Sequence, residues 1–143
     1  MAITDLTAFV GEWELAVDLP GAEDGRGRVT FEIVGEMLVQ RSSVPDPAPD
    51  SCCVILQGDD GSYIQHYFDS RGIARIYEMT LSGGEWVLER NKPDLTPLDF
   101  CQRYVGAFSE ENSRIDGEWQ ASTDGKEWTR DFGITYTRIR TTG

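Results

Sequence analysis

The chain is short of histidine, cysteine and positive charge, and each shortage removes a class of function. One histidine, His66, and three cysteines, Cys52, Cys53 and Cys101, stand in no paired ligand spacing, so no metal site is expected. An odd count of cysteines does not make a secreted disulfide framework. Cys52 and Cys53 are neighbours in a predicted strand and face opposite ways, so joining them would distort the backbone; all three are expected as buried free thiols. No local pattern supports a Cys–His nucleophile. Thirteen basic residues against 25 acidic ones give a net charge of −12, which opposes nucleic-acid backbones and anionic membranes; neither is an expected partner. No apolar run approaches the ~20 residues of a membrane span, and "MAITDLTAFV" has no basic flank, so the expected location is cytoplasmic.

What is present is a succession of strands. At 143 residues the chain is expected to form one domain over its whole length. A short helix is expected over "TDLTAF", with Thr4 as its cap and Gly11 just past its end. After it come ten runs rich in β-branched and aromatic residues, from "EWELAVDL" to "EWTRDFGITYTRI", separated by turn signals. The expected fold is all-β, a single antiparallel up-and-down barrel of about ten strands, closed on itself so that no edge remains.

Turns set registers, and registers decide which side chains share a face. "VGEM" and "SGGE" read as two-residue hairpins pairing Ile33 with Leu38, and Met79 with Leu88. "DSRG" reads as a turn with Gly72 in a left-handed bulge, pairing Asp69 with Ile73. "TDGK" reads as a tight turn placing Trp119 opposite Arg130. These registers send Gln65, Tyr67, Arg75, Tyr77 and Arg90 inward. Glu78, Glu85 and Glu89 go to the water side, with His66 on that outer set beside Ile64 and Phe68. A two-residue "DSRG" turn would instead bring His66 inside, opposite Arg75.

Alternate connections of a meander lie at opposite ends. The long ones, "LPGAEDGRG", "PDPAPD" and "KPDLTPLD", share one parity, while the hairpins at Gly35 and Gly83-Gly84 share the other, as in a cup with one mouth. Arg75, Arg90 and Arg130 gather near that mouth, and inward guanidinium groups need carboxylates, hydroxyls, water or a ligand. The expected ligand-binding set is Gln40, Tyr67, Arg75, Tyr77, Arg90, Gln102, Tyr104, Trp119 and Arg130. Arg130 stacked on Trp119, within a network that satisfies itself, is the alternative use of the same residues.

"FVGEWEL" at Phe9 to Leu15, with "YTR" at Tyr136 to Arg138, resembles the lipocalin-like or calycin superfamily, in a bacterial branch. The resemblance implies a Gly-x-Trp on the first strand after a short helix, and a basic residue on the last strand packing over the tryptophan. Gly11, Trp13 and Arg138 match, which makes Arg138 structural. The strand count is more similar to nitrobindins and fatty-acid-binding proteins than to eight-stranded lipocalins. Nitrobindin-like barrels hold haem on a histidine near the C-terminus; none stands there in this chain, and no cofactor is expected, cysteine or tyrosine ligation being the only routes left open.

The reading that follows is a binding protein for a hydrophobic or polyoxygenated, partly anionic small molecule held inside the barrel. The alternative is a cofactor-independent isomerase, cyclase or hydrolase in the same chamber, with Tyr77 or Tyr104 as acid and an arginine stabilising an oxyanion. A homodimer is compatible with either.

Overall fold

Ten strands follow one short helix in the computed structural model, which describes residues 3–18, 26–44, 49–58, 62–93, 100–109 and 111–139. A 3-10 helix, Ile3–Phe9, precedes β1 (Gly11–Asp18), β2 (Arg26–Val34), β3 (Met37–Ser43), β4 (Ser51–Gln57) and β5 (Tyr63–Asp69). Then come β6 (Ala74–Ser82), β7 (Glu85–Arg90), β8 (Cys101–Ser109), β9 (Arg114–Ser122) and β10 (Thr129–Arg138). Each strand pairs antiparallel with the next, and β10 returns to β1, closing the barrel and leaving no unpaired edge. The short helix expected at the N-terminus is present and is of the 3-10 type. It runs over seven residues with the tighter i to i+3 bonds and ends just before Gly11. Among the described residues no helix is long and apolar enough to cross a membrane.

Most registers read from the turns hold. Ile33 faces Leu38 and Phe31 faces Gln40; Met79 faces Leu88. Gly35 has a φ of 59°, while Gly83 and Gly84 are both positive, at 59° and 80°, so the second hairpin takes the doubly left-handed form rather than that of the first. Gly72, at a φ of 84°, makes the three-residue connection in which the Asp69 N–H donates to the Ile73 carbonyl at 3.0 Å. Tyr67 therefore faces Arg75 and His66 faces Ile76, which puts the histidine on the outer face.

One end is shut by aromatic packing. Phe9, with no exposed surface, lies 5.1 Å from Phe31, 4.8 Å from Trp86 and 5.1 Å from Phe108, centroid to centroid. Such ring pairs contribute about 0.5–1.5 kcal/mol each beyond the area they cover. The Trp13 indole N–H donates to the Phe9 carbonyl at 2.8 Å, tying helix to strand. Opposite Trp13 on β10, the Arg138 guanidinium covers the indole ring and donates to the carbonyls of Val10 and Ala8. These are carbonyls that a helix C-terminus leaves without partners. A Cβ on Gly11 would lie 2.6 Å from an Arg138 nitrogen, and the φ there is +132°, so both contact and backbone call for glycine.

The other end carries the β1–β2, β3–β4, β5–β6, β7–β8 and β9–β10 connections, the end read as the mouth. Residues 19–25, 45–48 and 94–99, which make up most of the three long connections, lie outside the described residues.

Candidate functional site

The inner wall of the mouth half is built by five consecutive strands. Across it Tyr67 faces Arg75 and Gln65 faces Tyr77; Arg90 faces Gln102, Leu88 faces Tyr104, and Tyr104 faces Trp119. Gln40 joins from β3 through Cys53. Every residue expected in the ligand set except Arg130 thus shares one inner surface. Its rings form a continuous run, Tyr67 to Tyr77 at 6.4 Å, Tyr77 to Trp119 at 5.5 Å, Trp119 to Tyr104 at 5.4 Å and Tyr104 to Trp86 at 5.0 Å.

Arg130 is outside, and the expected pairing with Trp119 does not form. Trp119 faces Phe132, Arg130 faces Gln120, and the register shifts between them, leaving Asp131 as the extra residue of a bulge. One extra residue moves everything on its mouthward side to the other face. The "TDGK" turn is also longer than expected. Asp124 accepts hydrogen bonds from the Ser122 hydroxyl and from the Lys126 and Glu127 N–H groups, at 2.8–2.9 Å, and β10 begins only at Thr129. Arg130 ends in solvent-facing ion pairs with Asp18 at 2.9 Å and Glu118 at 3.7 Å. A cation–π contact does form on this outer side, but it joins Arg103 to Trp128 at 4.3 Å.

The mouth holds a cluster that sequence reading missed. The Asp69 side chain is fully covered, accepting from the Tyr67 hydroxyl at 2.8 Å, from the Arg71 guanidinium at 2.6 Å and from the Arg71 N–H at 2.9 Å. Burial would raise its carboxyl, yet the hydrogen bonds from Arg71, Tyr67 and the backbone outweigh that and hold it at about 2. The signal was available in "DSRG", since an Asp opening a turn commonly accepts from N–H groups two residues on. Tyr67 is thereby committed as a donor to Asp69; burial first, and then that bond, push its phenol up.

Beside this cluster the Tyr77 hydroxyl donates to Gln102 at 3.3 Å. Burial raises the Tyr77 phenol, and Arg75 and Arg90 oppose the rise, Arg75 by its charge and by a hydrogen bond. Arg90 is 4% exposed and Arg75 is half-buried, with its Nε in contact with no partner. Gln65 Oε1, Trp86 Nε1 and the Tyr104 hydroxyl are likewise buried without partners. Tyr104 owes its place to two glycines facing each other, Gly106 and Gly117; a Cβ on Gly117 would fall 2.3 Å from its hydroxyl oxygen. Burial, then Tyr136 and Asp116, push its phenol well up.

The inner wall offers donors and phenols that stay protonated. It offers no imidazole, because His66 is outside, and burial pushes the Cys53 thiol far up, away from the thiolate a metal would need. These residues do not fit a haem iron. Among the described residues no group of three metal-ligating side chains comes together. An open surface cleft of about 780 Å³ lies elsewhere, beside the helix at the shut end, where Val10, Glu12, Thr30 and Ile33 line it.

No family model and no curated protein matches the chain. Among solved structures, that of Rv2717c from M. tuberculosis superposes with a TM-score of 0.62 over 96% of this chain and 97% of that one, at 12% identity. At that identity the likeness shows a shared barrel fold and nothing finer.

Proposed function

We propose that the barrel binds a small organic molecule entering at the end that carries Asp69 and Arg71, with an anionic or polyoxygenated group reaching Arg75 and Arg90 and an apolar body lying on the aromatic run. The observation that carries this reading is the set of four buried polar atoms on the inner wall without partners: Gln65 Oε1, Arg75 Nε, Trp86 Nε1 and the Tyr104 hydroxyl. Buried polar groups are satisfied in the great majority of cases, and each orphan costs about 1–3 kcal/mol, so an interior holding four of them is suited to molecules that supply the missing bonds. Three of the four are donors, which selects for a ligand rich in acceptors.

The Gly11, Trp13 and Arg138 arrangement at the shut end supports kinship with lipocalin-like barrels, many of which are vessels for small molecules. The catalytic alternative gains nothing from the geometry. Tyr77 and Tyr104 are pushed up by burial, and an acid far above neutral pH transfers its proton poorly. Native mass spectrometry of the purified chain, followed by calorimetry with any co-purified compound, tests the proposal. A stoichiometric organic ligand whose affinity falls in Arg75→Gln supports it; a chain that carries nothing, and binds none of a panel of amphipathic carboxylates and polyphenols, refutes it.

A further inference from the structure

The centre of the outer wall of β3–β6 is an uncharged surface on a chain of net charge −12. Outward from β4 and β5 stand Cys52, Val54, Leu56, Ile64, His66 and Phe68, in cross-strand rows of Val54 with His66 and Cys52 with Phe68. On β6 the rows continue into Ile76 and Ala74; on β3 the Val54 row meets Val39, which is already covered. Phe68 is 44% exposed and Ile76 39%, two large apolar side chains on adjacent strands facing outward. Charge borders it on β2, where the exposed Glu32 faces Val39, and at two opposite corners. Toward the mouth, on β2 and β3, are Arg28 and Arg41; toward the shut end, on β6 and β7, Glu78 and Glu89 stand directly opposite each other. Like charges so placed repel. The ion pairs that engage these groups are long, at 3.7–3.9 Å, and mostly exposed, so they contribute little and leave the corners available.

We propose that this face is the interface of a homodimer. A two-fold contact sets a surface against itself, so the surface must be self-complementary. A two-fold axis lying in the interface, along the diagonal from Met37 to Ala74, exchanges the two charged corners. Arg41 of each copy then meets Glu78 of the other, Phe68 and His66 come together near the centre, and the strands of the two copies cross at nearly a right angle, one of the orientations in which sheets pack. The second copy adds a cation beside Glu78 and Glu89, which face each other with the long, exposed Lys92 pair at 3.9 Å and the facing Arg103 nearby. On a strongly acidic protein, a face without carboxylates at its centre is also where another copy approaches with least repulsion. Four strands at ~4.8 Å spacing, over about 20 Å of their length, give roughly 400 Å² of flat area per copy, about half of the ~800 Å² per partner of a standard interface. The dimer is therefore a concentration-dependent one.

Sedimentation equilibrium over a concentration series of the full chain tests this. The average mass is expected to rise from the 16.0 kDa of one chain toward twice that value. Phe68→Glu and Ile76→Glu should each weaken association by about tenfold or more, as central apolar contacts do, with thermal melts unchanged. Arg41→Glu should weaken it as well, and adding Glu78→Arg should restore it, a readout that survives if the apolar variants fold poorly. A mass that stays at one chain throughout, association undiminished in folded Phe68→Glu, or an exchange of charges that restores nothing would each overturn the proposal.

Discussion

Arg138 and Trp13 face each other across β10 and β1, with the guanidinium carbon 4.2 Å from the indole centroid. The same guanidinium donates to the carbonyls of Val10 and Ala8 at the end of the 3-10 helix, so one side chain joins the first and last strands to the plug of the shut end. Burial lowers its pKa somewhat, the cost of holding a cation there. A stacked cation contributes about 0.5–2 kcal/mol, and hydrogen bonds from a charged donor about 1.5–3. Arg138→Ala is therefore expected to lose about 2–4 kcal/mol in urea unfolding, with ligand affinity of the folded fraction unchanged. Gly11→Ala should lose stability too, since the added methyl meets the same guanidinium.

The Asp69 turn predicts an acid-sensitive step. Its carboxyl sits at about 2 in the fold and near ~3.9 in the unfolded chain, so its contribution is fully present above ~3.9 and is lost as pH falls toward 2. A shift of this size corresponds to at most about 2.6 kcal/mol. The side chain is covered by its partners, but the turn lies at the surface, so solvent screening leaves about 1 kcal/mol. Asp69→Asn is expected to be less stable by about that amount at pH 7 and equal to the parent near pH 2. Chemical denaturation across the pH range reads the difference, and an unchanged gap at both ends would contradict it.

The fold was legible because local signals and barrel closure agree. Gly35, Gly72 and the Gly83-Gly84 pair each set a register that the neighbouring strands repeat, so eight of the nine expected site residues fall on one inner wall. The β9–β10 hairpin was misread for a physical reason. Asp124-Gly125 is a strong turn signal in isolation, but the Asp124 carboxylate spends its hydrogen bonds on later N–H groups, and the Asp131 bulge absorbs one residue further along. A bulge in the interior of a strand has no signature at the turn, so Arg130 was assigned to the wrong face. In the Asp69 cluster the bond from the Arg71 N–H follows from the turn residues "DSRG", but those from Tyr67 and the Arg71 guanidinium depend on how the turn folds over Tyr67, which no spacing encodes.

Tyr104 gives a test that separates stability from function. Its hydroxyl is buried without a partner, so removing it in Tyr104→Phe takes away a desolvated polar group and should leave the ligand-free chain as stable as before or more so, by up to ~1 kcal/mol. Gly117→Ala acts the opposite way, driving a methyl into that hydroxyl and costing about 1–3 kcal/mol by overpacking. Thermal melts of both variants check the pair. A Tyr104→Phe chain that melts well below the parent would mean the hydroxyl is already bonded in solution.

Of the three arginines expected at the mouth, Arg75 and Arg130 lie on opposite sides of the wall. Arg75 is half-buried on the inner wall with Nε unpartnered, whereas Arg130 lies in exposed ion pairs with Asp18 and Glu118. A charge-assisted hydrogen bond contributes about 1.5–3 kcal/mol, so Arg75→Gln should weaken an anionic ligand by about tenfold or more. Arg130→Gln should leave affinity within about twofold, because it removes only solvent-screened pairs outside the wall. Calorimetry on both variants with one compound decides the matter. Equal losses would place Arg130 back at the chamber and contradict the bulge, while no loss in Arg75→Gln would mean that its guanidinium serves Tyr77 alone.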